Sequence, residues 1–148
     1  MKIKVQVVIQ SDDETLGRVS EITCFERDDL TPATLGLTLT ESKQLLAALQ
    51  ETLVTQQVDA YNAQQHHCPN CGAALARKGK QPIVVRTLFG KVKLDSPRFY
   101  TCACQDNRGQ SFSPLTERLS ERSTPELLYR VVLRLISFVF MNVDQFHQ

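Results

Sequence analysis

Apolar and polar side chains alternate over the first ten residues. Ile3, Val5, Val7 and Ile9 share one face, and Lys2, Lys4 and Gln6 the other. A period of two marks a strand. "SDDETLG", Ser11 to Gly17, is rich in turn formers, and "RVSEITCFER" supplies a second strand-like run, so the pattern predicts a hairpin. Within it, Cys24 reads as a small packed apolar side chain. After the loop "DDLTPATLGLTL" the period changes. Thr38, followed three residues later by Glu41, is a capping box. From there to Gln65 no Gly or Pro intervenes, and Leu46, Leu49 and Leu53 form a stripe that Val54, Val58 and Tyr61 continue. A helix of about 25 residues, roughly 37 Å long, is expected. Its stripe either packs on the hairpin or meets a second copy of the chain.

Beyond His67 the pattern returns to strands. "GAALARKGKQ" reads as a glycine-bearing turn, "PIVVRTLF" as a strand, Gly90 as a turn and "KVKLDSPRFYTCAC" as a second strand. "SFSPLTERLSERSTPE" reads as a loop with short helical turns. Ser123 with Glu126 is a second capping box, and Pro125 suits the first turn of a final helix. That helix is very apolar: Leu133, Ile136, Phe138, Val139, Phe140 and Met141 leave few polar positions. The expected fold is α+β: an N-terminal hairpin with a long amphipathic helix over 1–65, a cysteine-bearing hairpin over 66–105, and a loop with an apolar C-terminal helix over 106–148.

Composition adds little until it is resolved along the chain. With 148 residues, 42% hydrophobic, and a mean hydropathy of −0.21, the protein belongs with folded chains rather than disordered ones. The formal net charge of +1 conceals an uneven distribution. Residues 1–60 hold five basic and ten acidic side chains, a net of −5. Residues 77–98 hold Arg77, Lys78, Lys80, Arg86, Lys91, Lys93 and Arg98 against Asp95 alone, a net of +6. The N-terminus lacks the apolar core and cleavage site of a signal peptide. No run of about twenty apolar residues occurs, so nothing is expected to span a membrane. A cytoplasmic location follows as an expectation, and with it reduced thiols.

Four of the five cysteines stand in two tight pairs. "CPNC", Cys68 to Cys71, is followed by Gly72, and Cys102 and Cys104 flank a single residue. Two thiolates three residues apart reach one ion only if the backbone turns sharply, which Pro69 and Gly72 favour. Thirty residues of strand, turn and strand separate the pairs. That is a zinc-ribbon arrangement, with Cys68, Cys71, Cys102 and Cys104 as a closed tetrahedral shell around a structural Zn²⁺. Two disulfides would suit the count but not a reducing compartment. A redox Cys-x-x-C motif calls for a βαβ setting, and an iron–sulfur cluster would draw on the same four ligands. His66 and His67 sit beside Cys68, as a replacement ligand or, in the preferred reading, as neighbours of the site. Structural zinc contributes roughly 10–16 kcal/mol, enough to make such a module fold only with its metal.

The ribbon is also where the cations lie. Alternation in "KVKL" puts Lys91 and Lys93 opposite Val92 and Leu94. A rigid sheet with several cations pointing one way suits a phosphate backbone. Arg86, Lys91, Lys93 and Arg98 are the expected contacts, with Lys78 and Lys80 on an adjoining loop. Phe99 and Tyr100 are available for stacking on bases, but core is the simpler role in so small a module. Phosphate contacts position a protein without reading sequence. The competing reading is a protein-interaction or assembly module that meets acidic partners instead of DNA.

Four segments carry a family resemblance: "LGLTLTESKQLLAALQETLVTQQ", "HCPNCGAALARKG", "RTLFGKVKLDSPRFYTCAC" and "SFSPLTERLSERSTPELLY". Together they resemble the N-terminal region of bacterial insertion-sequence transposases of the ISKra group, over most of residues 1–129. The resemblance implies that this region binds the terminal inverted repeats of a mobile element, with Cys68, Cys71, Cys102 and Cys104 as metal ligands. It also implies a following RNase H-like domain, whose three acidic residues hold two metal ions for strand cleavage and transfer. The nineteen residues after Tyr129, with Asp144 as their one acid, do not resemble that continuation. The expectation is therefore a truncated fragment without enzymatic activity.

Overall fold

A computed structural model describes residues 1–10, 17–106 and 109–143. The expected turn falls on Ser11 to Leu16, outside the described residues. So do the side chains of Phe138, Val139, Phe140 and Met141. The fold is α+β, with β1 (Lys2–Ile9), β2 (Arg18–Glu26), α1 (Leu39–Gln64), β3 (Arg77–Thr87), β4 (Gly90–Tyr100), β5 (Ser111–Phe112), α2 (Pro114–Arg118) and α3 (Pro125–Val143). The chain divides into two compact units, Met1–Val54 and Thr55–Gln148.

In the first unit β1 and β2 pair antiparallel from Lys2 opposite Glu26 to Ile9 opposite Arg18. Val5, Val7 and Ile9 are half-buried, as the alternation predicts, whereas Ile3 at the strand's start is exposed. The capping box at Thr38 forms in both directions. The Glu41 amide donates to Thr38 Oγ1 at 3.1 Å, and the Thr38 amide donates to Glu41 Oε2 at 2.9 Å. Arg27, just past β2, adds a tie: its Nη2 reaches both Glu41 carboxylate oxygens, at 2.9 and 2.8 Å. Its other donors go to the Thr34, Gly36 and Glu26 carbonyls. One guanidinium thus fixes where the loop ends and the helix begins. The Thr38 amide, then the Arg27 pair, hold the Glu41 carboxyl below its usual range. Along α1 the buried side differs from the expected stripe. Leu46 and Leu53 are exposed, while Leu45, Leu49 and Val54 face inward to varying degrees; Val58, which belongs to the second unit, is buried there. Adjacent leucines at 45 and 46 gave the pattern two ways to run.

The second unit is built on a three-stranded antiparallel sheet in the order β3-β4-β5. Its long hairpin matches Ile83 with Leu94, Val85 with Val92, and Thr87 with Gly90 across a two-residue turn. Ile83, Val85, Val92 and Leu94 fill one face, closed by Phe99 and by Leu115 of α2. Period two also sends Ser96 inward, where it is fully buried. Its hydroxyl meets Ser113 Oγ and, at 2.9 Å, Thr116 Oγ1. Thr116 also accepts from Gln81 Nε2 at 3.0 Å, and Ser113 donates to the Pro97 carbonyl at 2.9 Å. This satisfied hydroxyl cluster fixes α2 on β4 at no cost of orphaned polar groups.

Three local expectations are corrected in this unit. The turn expected over "GAALARKGKQ" is strand in its second half: β3 starts at Arg77, so Lys78 and Lys80 are on the sheet. Gly79, at φ 134°, absorbs a bulge there, which lets the strand run through a residue that reads as a breaker. Second, β5 emerges from the presumed loop. Third, α3 begins at Pro125, which makes Thr124 its N-cap instead of Ser123. Ser123 is engaged elsewhere. It bridges to Arg86, whose amide donates to the Arg122 carbonyl at 2.8 Å and whose carbonyl accepts from the Thr124 amide at 2.9 Å. That bridge covers the free edge of β3.

Candidate metal centre and basic face

Each cysteine pair is presented by its own small turn. In the first, the Cys68 amide donates to the Ala73 carbonyl and the Gly72 amide to the Cys68 carbonyl, both at 2.8 Å. Gly72 has φ 73°, a conformation that a side chain resists. The Leu75 amide closes this turn on the His66 carbonyl at 2.9 Å. In the second, the Thr101 amide donates to the Gln110 carbonyl and the Gln105 amide to the Cys102 carbonyl. The hairpin carries the two turns to the same place, because the Tyr100 amide at the end of β4 donates to the Ala76 carbonyl at 2.9 Å.

The four sulfurs converge there. Cys68 Sγ lies 3.6 Å from Cys104 Sγ, and Cys71 Sγ lies 3.5 Å from Cys102 Sγ. All four lie within 4.8 Å of one another. Sulfurs bound at about 2.3 Å to one tetrahedral ion stand about 3.8 Å apart, whereas a disulfide brings them to about 2 Å. The thiols are therefore free, and spaced as ligands of a single ion. Neither histidine joins the cluster. His66 packs edge-on against Phe99, with ring centres 5.7 Å apart, and its Nε2 faces Arg77 Nη2 at 3.4 Å.

The sulfurs are not equivalent. Cys68 is 2% exposed, whereas Cys71 and Cys104 lie open to solvent. The backbone amides of Cys71 and Asn70 point at the Cys68 sulfur and lower its pKa to about 7. Cys104 is pushed up to about 12, because hydrogen bonding among the crowded Cys71, Cys68 and Cys102 sulfurs favours its protonated form. Four like groups so close together cannot all ionise without a cation among them.

The basic residues sort into two groups. Strand register puts Lys80, Arg86, Lys91 and Lys93 on the face opposite the core. Asp95 shares that face and is ion-paired with Lys80. Arg86 lies directly across from Lys91, with Lys93 the next outward residue on β4. Among the described residues these three side chains have no anionic partner. The other two expected contacts turn away. Arg98 is half-buried and donates to Ser111 Oγ at 2.8 Å. Lys78 donates to the same oxygen at 3.1 Å, and lies 5.4 Å from the centre of the Tyr100 ring. Ser111, on a strand too short to announce itself, is the residue that sequence reasoning missed. Phe99 is wholly buried and Tyr100 supports Lys78, which assigns Phe99 to the core.

In comparisons with known proteins the chain matches no family model, no curated relative and no solved structure. Among the described residues, no helix is long and apolar enough to cross a membrane.

Proposed function

We propose that this protein is a DNA-binding module, in which a structural zinc ion pins the hairpin and its outer face meets the phosphate backbone. Cys68, Cys71, Cys102 and Cys104 would hold the ion in a closed shell, with no position left for substrate. The observation that carries the proposal is the shared placement of Arg86, Lys91 and Lys93 on a sheet of fixed register, clear of the core. The resemblance to insertion-sequence transposases supports terminal inverted repeats as the natural DNA. It also supports a binding role, not a catalytic one, for these residues.

Three phosphate contacts per protomer give a slope of about −2.7 for log affinity against log salt. Between 50 and 200 mM salt that is about a fortyfold loss of affinity. Filter binding to duplex DNA over a salt series tests this directly. Lys91→Glu combined with Lys93→Glu should remove the salt-sensitive binding while leaving metal content unchanged. Retained affinity would reject the face. Failure of the unaltered protein to bind duplex DNA at low salt would favour the protein-interaction reading.

A further inference from the structure

The last helix is amphipathic, and among its described side chains, as far as Ile136, the apolar side is exposed. At 100° per residue, Leu128, Tyr129, Val131, Val132, Leu135 and Ile136 span an arc of about 160°. Glu126, Arg130 and Arg134 fall together on the opposite side. All six apolar residues are exposed, from 45% at Leu128 to 65% at Tyr129. Together they present on the order of 600 Å² to solvent, the upper end of what a monomer carries as a single patch. A stable interface removes about 800 Å² from each partner, so the described part of this one face supplies most of what a dimer needs.

The spacing indicates what covers it. Leu128, Val132 and Leu135 follow one another at steps of four and three, the seam of a coiled coil. The next step in the sequence is position 139, again a valine. Valine in one row of the seam with leucine in the other is the combination that favours two parallel strands over larger assemblies. We infer that α3 pairs with α3 of a second copy of this chain, in parallel, through Leu128, Val132 and Leu135. Because Thr124 at the start of α3 is bonded to Arg86, parallel pairing brings the Arg86 ends of two hairpins to the same end of the dimer. The pairing does not depend on the DNA-binding reading.

Sedimentation equilibrium of the zinc-loaded full chain tests it. The expected mass is twice 16.7 kDa, about 33 kDa, and Leu128→Lys with Leu135→Lys should return it to one chain. The variant's cobalt-substituted thiolate absorption should match the parent's, which separates lost pairing from lost folding. Leu128→Cys in a Cys24→Ser background should cross-link to its own counterpart on mild oxidation, as parallel strands allow and antiparallel strands centred on the seam, which set it opposite Leu135 about 10 Å away along the axis, do not. A monomeric parent, a dimer that survives both lysines, or a larger assembly would each overturn the proposal, and absence of the cross-link would overturn the parallel arrangement.

Discussion

Phe99 ties the four-cysteine cluster to the rest of its unit, and truncating it tests whether the core and the proposed metal form one cooperative structure. Its side chain is 0% exposed. Its ring centre lies 5.7 Å from that of His66, beside the first cysteine turn, and 6.3 Å from that of Phe112, on the strand returning from the second. Its backbone pairs with Arg77 and with Phe112. Phe99→Ala therefore opens a cavity at the point where both turns meet the hairpin. Such truncations cost about 3–5 kcal/mol. Where folding and metal binding are coupled, that energy is drawn from metal affinity. At 1.36 kcal/mol per decade, zinc binding should weaken by roughly 10²- to 10³-fold or more. Competition against a chromophoric chelator measures it. Tyr100→Ala is the control: one residue along, 39% exposed, and expected to change affinity less than about threefold, since surface substitutions stay within about 0.5 kcal/mol. Less than a tenfold loss for Phe99→Ala would refute the reasoning, because the sulfurs would then form a site independent of the core.

The two groups of cations should separate in the salt series. Arg86→Ala should reduce the slope by about 0.9, whereas Arg98→Ala, whose guanidinium is held by Ser111, should leave it unchanged. Zinc affinity should fall with falling pH, because protons and metal compete for the same sulfurs. The thiols must give up their protons to bind the ion, so protons should be released with each zinc bound. Calorimetry in buffers of different ionisation enthalpy counts them. Glu41, held below its ordinary pKa, contributes stability that is complete above the usual carboxylate range and lost as pH falls through the lowered value. Protection of the amides in the first turn of α1, taken relative to their intrinsic exchange rates at each pH, should therefore fall on acidification, and Glu41→Gln should flatten that dependence.

Much of this was legible because side-chain period and backbone geometry are linked. Alternation located β1, β2 and the apolar halves of β3 and β4, and it set Val92 and Leu94 opposite Lys91 and Lys93. The Thr38–Glu41 box marked the start of α1 to the residue, since both halves of that motif are local. Cysteine spacing named the four sulfurs that converge. What stayed hidden depends on contacts between distant segments. Gly79 reads as a breaker until its bulge is seen inside β3. Ser123 reads as a cap until its bridge to Arg86 is seen. The basic run reads as one patch, and only Ser111, arriving on β5, divides it by drawing Lys78 and Arg98 away from the outer face. On α1, neighbouring leucines made the pattern ambiguous by one position, about 100° of rotation.

X-ray absorption spectroscopy combined with elemental analysis, on protein purified without added chelator, reaches the central claim most directly. One zinc per chain is expected, with four sulfur scatterers at about 2.3 Å and no lighter ligand, and the metal should be lost when Cys68 and Cys71 are both changed to serine. Protein that is folded and free of metal, or a shell that contains nitrogen or oxygen, would contradict the account.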